Sequence, residues 1–126
     1  MYGKARRAGQ SFLIPARWIH EPYYETRRNV WQRIGLADWQ SYCVAGIWRR
    51  YDGDDGRTLV GMSMLTVNAE GHAAMGRMHK PGDEKRSVVL LKSSDYDEWL
   101  RTKNVEAARA MLQLYPADEM AIEQRD

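Results

Sequence analysis

Short apolar runs, several of them alternating with polar residues, come first along this chain, and helical spacing comes mainly at its end. Phe12-Leu13-Ile14-Pro15 is an apolar run closed by proline, which predicts a buried strand ending there. From Asn29 to Ile34, Val30, Gln32 and Ile34 alternate with Trp31 and Arg33, the period of a second strand. Residues 42–48 are rich in β-formers and bounded by charge. The Asp52-Gly53-Asp54-Asp55-Gly56 turn cluster predicts that they pair with residues 58–67 as an antiparallel hairpin. Residues 68–72 read as a loop entering a helical turn at Ala73-Ala74-Met75, residues 80–85 as a charged turn, and residues 87–91 as another strand. Ser94, followed by Asp97 and Glu98, predicts a helix start with Tyr96, Trp99 and Leu100 on one face. Val105, Ala108, Met111, Leu112 and Tyr115 continue that spacing until Pro116 stops it. The polar, basic residues 1–10 read as a lead-in. Strands first, helices last and hairpin-length connections predict an α+β fold, mainly antiparallel sheet, with short helices toward the C-terminus. No repeat, low-complexity tract or linker interrupts residues 1–126, so a single domain is expected.

Composition narrows the class. The chain is 44% hydrophobic and 29% charged, ordinary for a folded domain and unlike a disordered one. No run approaches the roughly 18 apolar residues of a membrane span, and the basic start has no apolar segment behind it to make a secretory signal. Cys43 is the sole cysteine, which excludes an internal disulfide and a cysteine-rich metal site. A cytoplasmic location is expected. Charge is uneven: residues 1–50 hold nine Lys/Arg against three Asp/Glu, and residues 51–126 hold ten against fourteen. Trp18, Trp31, Trp39 and Trp48 all lie in the basic half. Cations attract phosphates and aromatic faces stack on unpaired bases, so this half has the composition of a single-strand binding surface. The same residue types also fill cores and solvated faces.

Familiar catalytic motifs are absent: there is no phosphate loop, no Gly-x-Gly-x-x-Gly run, no His-Glu-x-x-His pair and no nucleophile elbow. Neither a cofactor nor a metal is expected. His20-Glu21 and Met78-His79 remain, because a carboxylate and an imidazole share acid/base work near neutral pH.

Five ordered segments carry a resemblance. Residues 9–22, with Leu13-Ile14-Pro15-Ala16 and then Glu21-Pro22, are similar to the Arg-Cys-Leu-Ile-Pro-Ala…Tyr-Glu stretch of the SOS response-associated peptidase (SRAP) family. Val44-Ala45-Gly46-Ile47-Trp48 resembles its Ala-Gly-Leu-Trp strand, and Leu65-Thr66-Val67-Asn68-Ala69 its Leu-Thr-Thr-x-Ala strand end. The segment from Met78-His79-Lys80-Pro81 to Arg86 resembles the longer form of its His-x-Arg-Met-Pro segment. The match continues through residues 88–91 and Asp95-Tyr96-Asp97-Glu98-Trp99-Leu100. The resemblance implies a partial β-barrel and a protein that senses abasic sites in single-stranded DNA by cross-linking to them. In the family an amino-terminal cysteine supplies an α-amine and a thiol, an asparagine helps hold the lesion, and a glutamate and a histidine move protons. An α-amine with a pKa of about 8 is partly neutral at pH 7, so it can form a Schiff base with the open-ring aldehyde; the thiol then closes a five-membered ring.

By that resemblance Glu21 and His79 are the candidate catalytic residues, and Arg6, Arg7, Arg17, Trp18 and Arg86 the candidate DNA contacts. Tyr2 stands where the family's cysteine would follow the initiator, and neither Asn29 nor Asn68 lies in the motif of the family's asparagine. The chain is therefore read as an amino-terminally incomplete SRAP-like domain that binds single-stranded or abasic DNA without cross-linking it. An alternative is a pseudoenzyme or phage accessory protein acting through protein contacts, self-association at an exposed sheet edge included. A third reading, catalysis by Cys43, requires that thiol to be exposed and acidic; a packed mid-strand cysteine is the expectation.

Overall fold

The computed structural model describes residues 10–23, 30–80 and 82–124. Its strands are β1 (Ser11–Ala16), β2 (Ile19–Tyr23), β3 (Val30–Leu36), β4 (Tyr42–Asp52), β5 (Thr58–Met64), β6 (Thr66–Asn68), β7 (Arg86–Val88), β8 (Leu90–Leu91) and β9 (Met120–Gln124). Two six-residue helices, α1 (Tyr96–Arg101) and α2 (Val105–Ala110), come late in the chain. The strands form three antiparallel sheets, β1-β4-β5 with β8 added to β4, β2-β3-β9, and β6-β7. The α+β expectation holds.

The hairpin of residues 42–67 also forms, from Gly46 opposite Met64 to Asp52 opposite Thr58, but its second arm is broken at Leu65. There the Leu65 N–H donates to the Ala45 carbonyl, the Val89 N–H to the Leu65 carbonyl and the Ala45 N–H to the Val89 carbonyl. This three-way exchange passes the chain from the first sheet into β6-β7. It is also why the expected strand of residues 87–91 is two short strands with Val89 between them.

Side-chain alternation in β4 sets the two sides of the first sheet. Ala45 and Ile47 face α1 and α2 in a core with Val89, Leu91, Trp99, Ala108 and Met111. Tyr42 and Val44 face the second sheet, packing with Ile19, Leu36, Leu90 and Met120. The Tyr42 hydroxyl donates to the Ile34 carbonyl, and burial pushes its pKa up to about 12, so this phenol is a core group. Further along that same side nothing among the described residues covers Met62, Met64 or Val60, which are 56–69% exposed. Phe12 lies flat across Gly46 there; a Cβ on Gly46 would sit 2.6 Å from its ring.

The helical expectation needs correction in three places. Ser94 is not the cap; it lies in a 3-10 turn (Ser93–Asp95) that leads into α1. Leu100 is 44% exposed, so Tyr96 and Trp99 make the inward face without it. The second helix stops at Ala110 and does not run to Pro116. Its start is capped by Asn104, whose side chain accepts from the Glu106 and Ala107 N–H groups. Its early end follows from packing: Leu112, Leu114 and Tyr115 each join a different apolar cluster, which an extended segment reaches and one face of a helix does not. Strands β2 and β9 were not anticipated at all. No helix among the described residues is long and apolar enough to cross a membrane.

Candidate functional site

The site is built on an edge strand. Pro22 interrupts β2, but its carbonyl points away from β3 and accepts the His79 N–H at 2.6 Å. A residue's N–H and C=O leave the strand on the same side, so proline's missing donor costs the β2-β3 ladder nothing. The segment carrying His79 lies along this free edge, with an isolated parallel bridge between Tyr23 and His79.

Alternation in β2 turns Ile19, Glu21 and Tyr23 inward and leaves His20 exposed. Glu21 stands opposite Gln32 of β3. Its Oε2 lies 3.2 Å from His79 Nε2, with the two side chains 15% and 29% exposed. Burial raises the Glu21 pKa above its ordinary value of 4.5, and the neighbouring His79 charge offsets part of that rise. His79 Nε2 also meets the Arg86 carbonyl at 3.1 Å. Both neighbours are acceptors when Glu21 is ionised, so Nε2 carries a hydrogen and Nδ1 is the nitrogen left to exchange protons.

His79 has φ +69°, a left-handed conformation that a residue with a Cβ adopts at a cost of about 1–3 kcal/mol. Lys85 holds it there. Its Nζ donates to the carbonyls of Met78 (2.7 Å), His79 (2.9 Å) and Lys80 (3.3 Å), using all three ammonium protons on one turn. Sequence reasoning missed Lys85; the only signal was a lysine closing the charged turn after the histidine.

The other expected residues fall in different places. Trp18 is 41% exposed, with the Arg33 guanidinium 5.0 Å from its ring centroid. Arg33 pairs with His20, and Trp31, 46% exposed, lies two residues away on the same face. This aromatic and basic surface is therefore on the side of the β2-β3 sheet opposite Glu21. Arg33 and Trp31 belong to it by the same alternation that marked their strand. Arg17 is exposed and donates to the Trp39 carbonyl at 3.4 Å. The Arg86 guanidinium braces β6-β7, donating to Thr66 Oγ1 (2.9 Å), the Thr66 carbonyl (2.8 Å) and Glu84 Oε1 (3.0 Å). Arg6 and Arg7 lie outside the described residues. His72 caps a 3-10 turn: its Nδ1 accepts from the Ala74 and Met75 N–H groups, and its Nε2 meets the Tyr115 carbonyl at 2.7 Å. Cys43 is a free, half-buried thiol on β4, between Pro15 and Leu91 and in the other sheet from Glu21. Among the described residues no three His, Cys, Asp or Glu side chains converge as metal ligands.

The raised Glu21 pKa has a measurable consequence. Between 4.5 and its higher folded value the native state binds more protons than the unfolded chain. This group's contribution is thus most favourable below 4.5 and is lost as pH rises through the folded pKa. Glu21→Gln is expected to remove that downward slope from urea-derived stabilities measured between about pH 4 and pH 8; slopes equal in both proteins would contradict a buried carboxylate.

Comparison with known proteins agrees with this architecture. A crystal structure of a protein from Bordetella bronchiseptica superposes with a TM-score of 0.89 at 32% identity, covering 98% of this chain and 58% of that one. A crystal structure of a protein from Bacteroides thetaiotaomicron superposes with a TM-score of 0.80 at 17% identity, covering 93% of this chain and 50% of that one, and shares the fold. The chain thus spans between half and three-fifths of the length of these two proteins. No curated protein matches it. The family model of SOS response associated peptidase matches residues 4–125, and the chain belongs to the SRAP family.

Proposed function

We propose that the Glu21–His79 pair is the proton-handling centre of a site that engages single-stranded DNA at an abasic residue, and that these 126 residues bind such DNA without forming a covalent link. The observation that carries the reading is the pair itself. A desolvated carboxylate lies 3.2 Å from an imidazole whose Nδ1 is left for proton exchange. Such a pair suits the opening of an abasic sugar's cyclic hemiacetal, where one group protonates the departing ring oxygen and the other accepts the proton of the C1 hydroxyl as the aldehyde forms. SRAP membership supports an association with the SOS response. Within these 126 residues the one thiol, Cys43, is internal and has no free α-amine beside it, which supports the non-cross-linking part of the reading. Arg17, Trp18 and Arg86, with Arg6 and Arg7 outside the described residues, are proposed as DNA contacts: Trp18, on the face opposite Glu21, by stacking on the strand that flanks the abasic residue, and the arginines by charge.

A second reading is favoured by one observation. Strand β5 is an edge among the described residues, and Leu59, Val60, Met62 and Met64 on it are 56–69% exposed. A surface of that kind serves protein contact, self-association included.

One experiment separates the two. The chain is mixed with single-stranded DNA containing an abasic site, then run on a denaturing gel and on native gels at two salt concentrations. The expected result is a native shift that weakens steeply with salt and leaves no adduct after denaturation. Assembly that ignores salt and DNA would favour protein contact. An adduct that survives denaturation would overturn the non-cross-linking reading, and Cys43→Ser would then test that thiol.

A further inference from the structure

Beside the Glu21–His79 pair is a cleft of about 270 Å³ lined by Tyr23, Gln32, Arg77, Met78 and Ile122. It shares a wall with the pair. Gln32 stands opposite Glu21 in the ladder, Tyr23 follows Glu21 on the same face, and Met78 precedes His79. Gln32 is 8% exposed, and among the described residues its side-chain amide has no hydrogen-bond partner. A buried amide without a partner destabilises a fold, and one that opens into a cleft is a group held ready for a ligand. At the mouth, Arg77 Nη2 donates to the Tyr23 hydroxyl at 2.8 Å, and the guanidinium lies 5.3 Å from that ring's centroid.

We propose that this cleft is a base pocket: an unpaired nucleobase next to the nucleotide held at Glu21 and His79 enters it and pairs its edge with the Gln32 amide. The inference rests on the reading of Glu21–His79 as a single-stranded DNA site. Three features select a base. A glutamine amide offers a donor and an acceptor side by side, which matches two adjacent atoms on a base edge, adenine above all. Met78 and Ile122 supply apolar contact for the faces of a ring, and Tyr23 an aromatic one. The volume falls just under the range of about 300–1,000 Å³ found for drug-sized ligands, which suits one planar heterocycle.

The test is fluorescence anisotropy of the 126-residue chain with labelled single-stranded oligonucleotides. Each carries one abasic residue flanked by adenine, cytosine, guanine, thymine or a second abasic residue. Wild type is expected to prefer adenine by about tenfold over the doubly abasic strand. Gln32→Leu, similar in volume and without the amide, should flatten that preference to within about twofold while raising the thermal midpoint, because the unpartnered buried group is gone. Gln32→Glu, an acceptor only, should shift preference toward cytosine, whose N4 donates. A packing role for Gln32 would move stability and leave base preference alone. Wild type that binds all five strands equally, or a Gln32→Leu chain that keeps the wild-type preference, overturns the base pocket and leaves the DNA site standing. Wild type that binds none of them overturns both.

Discussion

Trp99→Ala is expected to lower the free energy of unfolding by about 3–5 kcal/mol, a large part of the roughly 5–15 kcal/mol that a domain holds. Trp99 is fully buried, the largest side chain so placed among the described residues. It also ties α1 to β1. Its Nε1–H donates to the Phe12 carbonyl at 3.1 Å, and its own carbonyl accepts from Ser11 Oγ at 2.9 Å. Alanine therefore opens a cavity among Ala45, Ile47, Val89, Leu91, Ala108 and Met111 and removes the indole donor from the Phe12 carbonyl. Trp99→Phe separates the two effects. It keeps most of the ring and loses the N–H, and should cost about 1–3 kcal/mol. Urea unfolding midpoints of the three proteins check the order. An alanine variant within about 1 kcal/mol of wild type would mean that α1 does not anchor β1, because so small a loss is below any core truncation of this size.

How much of this was legible in the sequence depends on how each element earns its stability. Strand β3 buries one side against a core, and β1 and β4 bury both, so their alternation or apolar run is written in residues such as Leu13, Ile34 and Val44. The β4-β5 hairpin announced itself through Asp52-Gly53-Asp54-Asp55-Gly56, whose residue types suit a reversal. Strand β2 hides because Ile19-His20-Glu21-Pro22-Tyr23 carries a proline, and only the geometry of a free edge makes it harmless. Strand β9 has Glu123 and Gln124 at its end, and it is a strand because β3 needs a partner on that side. The segment after Ala110 keeps helical spacing in its letters, yet three separate clusters pull Leu112, Leu114 and Tyr115 apart. For the site, the residues themselves pointed only to a carboxylate and an imidazole; their partnership came from resemblance to the family, since nothing local links positions 21 and 79. Their meeting depends on His79 lying along the β2 edge. Gln32 and Lys85 were invisible as site residues, because a glutamine in an alternating strand and a lysine in a charged turn look like surface.

Lys85→Met should open that site while leaving the sheets folded. The three carbonyls of Met78, His79 and Lys80 converge on one Nζ, and without it the first two are left part-buried with no cation to neutralise their mutual repulsion. An unsatisfied buried acceptor costs about 1–3 kcal/mol, comparable with the strain of the left-handed His79 backbone. The turn can relieve both by flipping His79 out of φ +69°. That flip removes the His79 N–H from the Pro22 carbonyl and the imidazole from Glu21. The expected results are a stability loss of about 2–4 kcal/mol, faster hydrogen exchange at the His79 amide, and a fall of about 10–100-fold in affinity for abasic single-stranded DNA. Lys85→Arg should not rescue the loss, because a planar guanidinium fork does not fit three carbonyls arranged around one point. Measured exchange, urea midpoints and gel shifts on the same preparations distinguish the cases. Lost exchange protection with unchanged DNA affinity would mean that Lys85 and His79 only brace the turn, and that the binding surface lies instead on the Trp18, Trp31 and Arg33 side of the sheet.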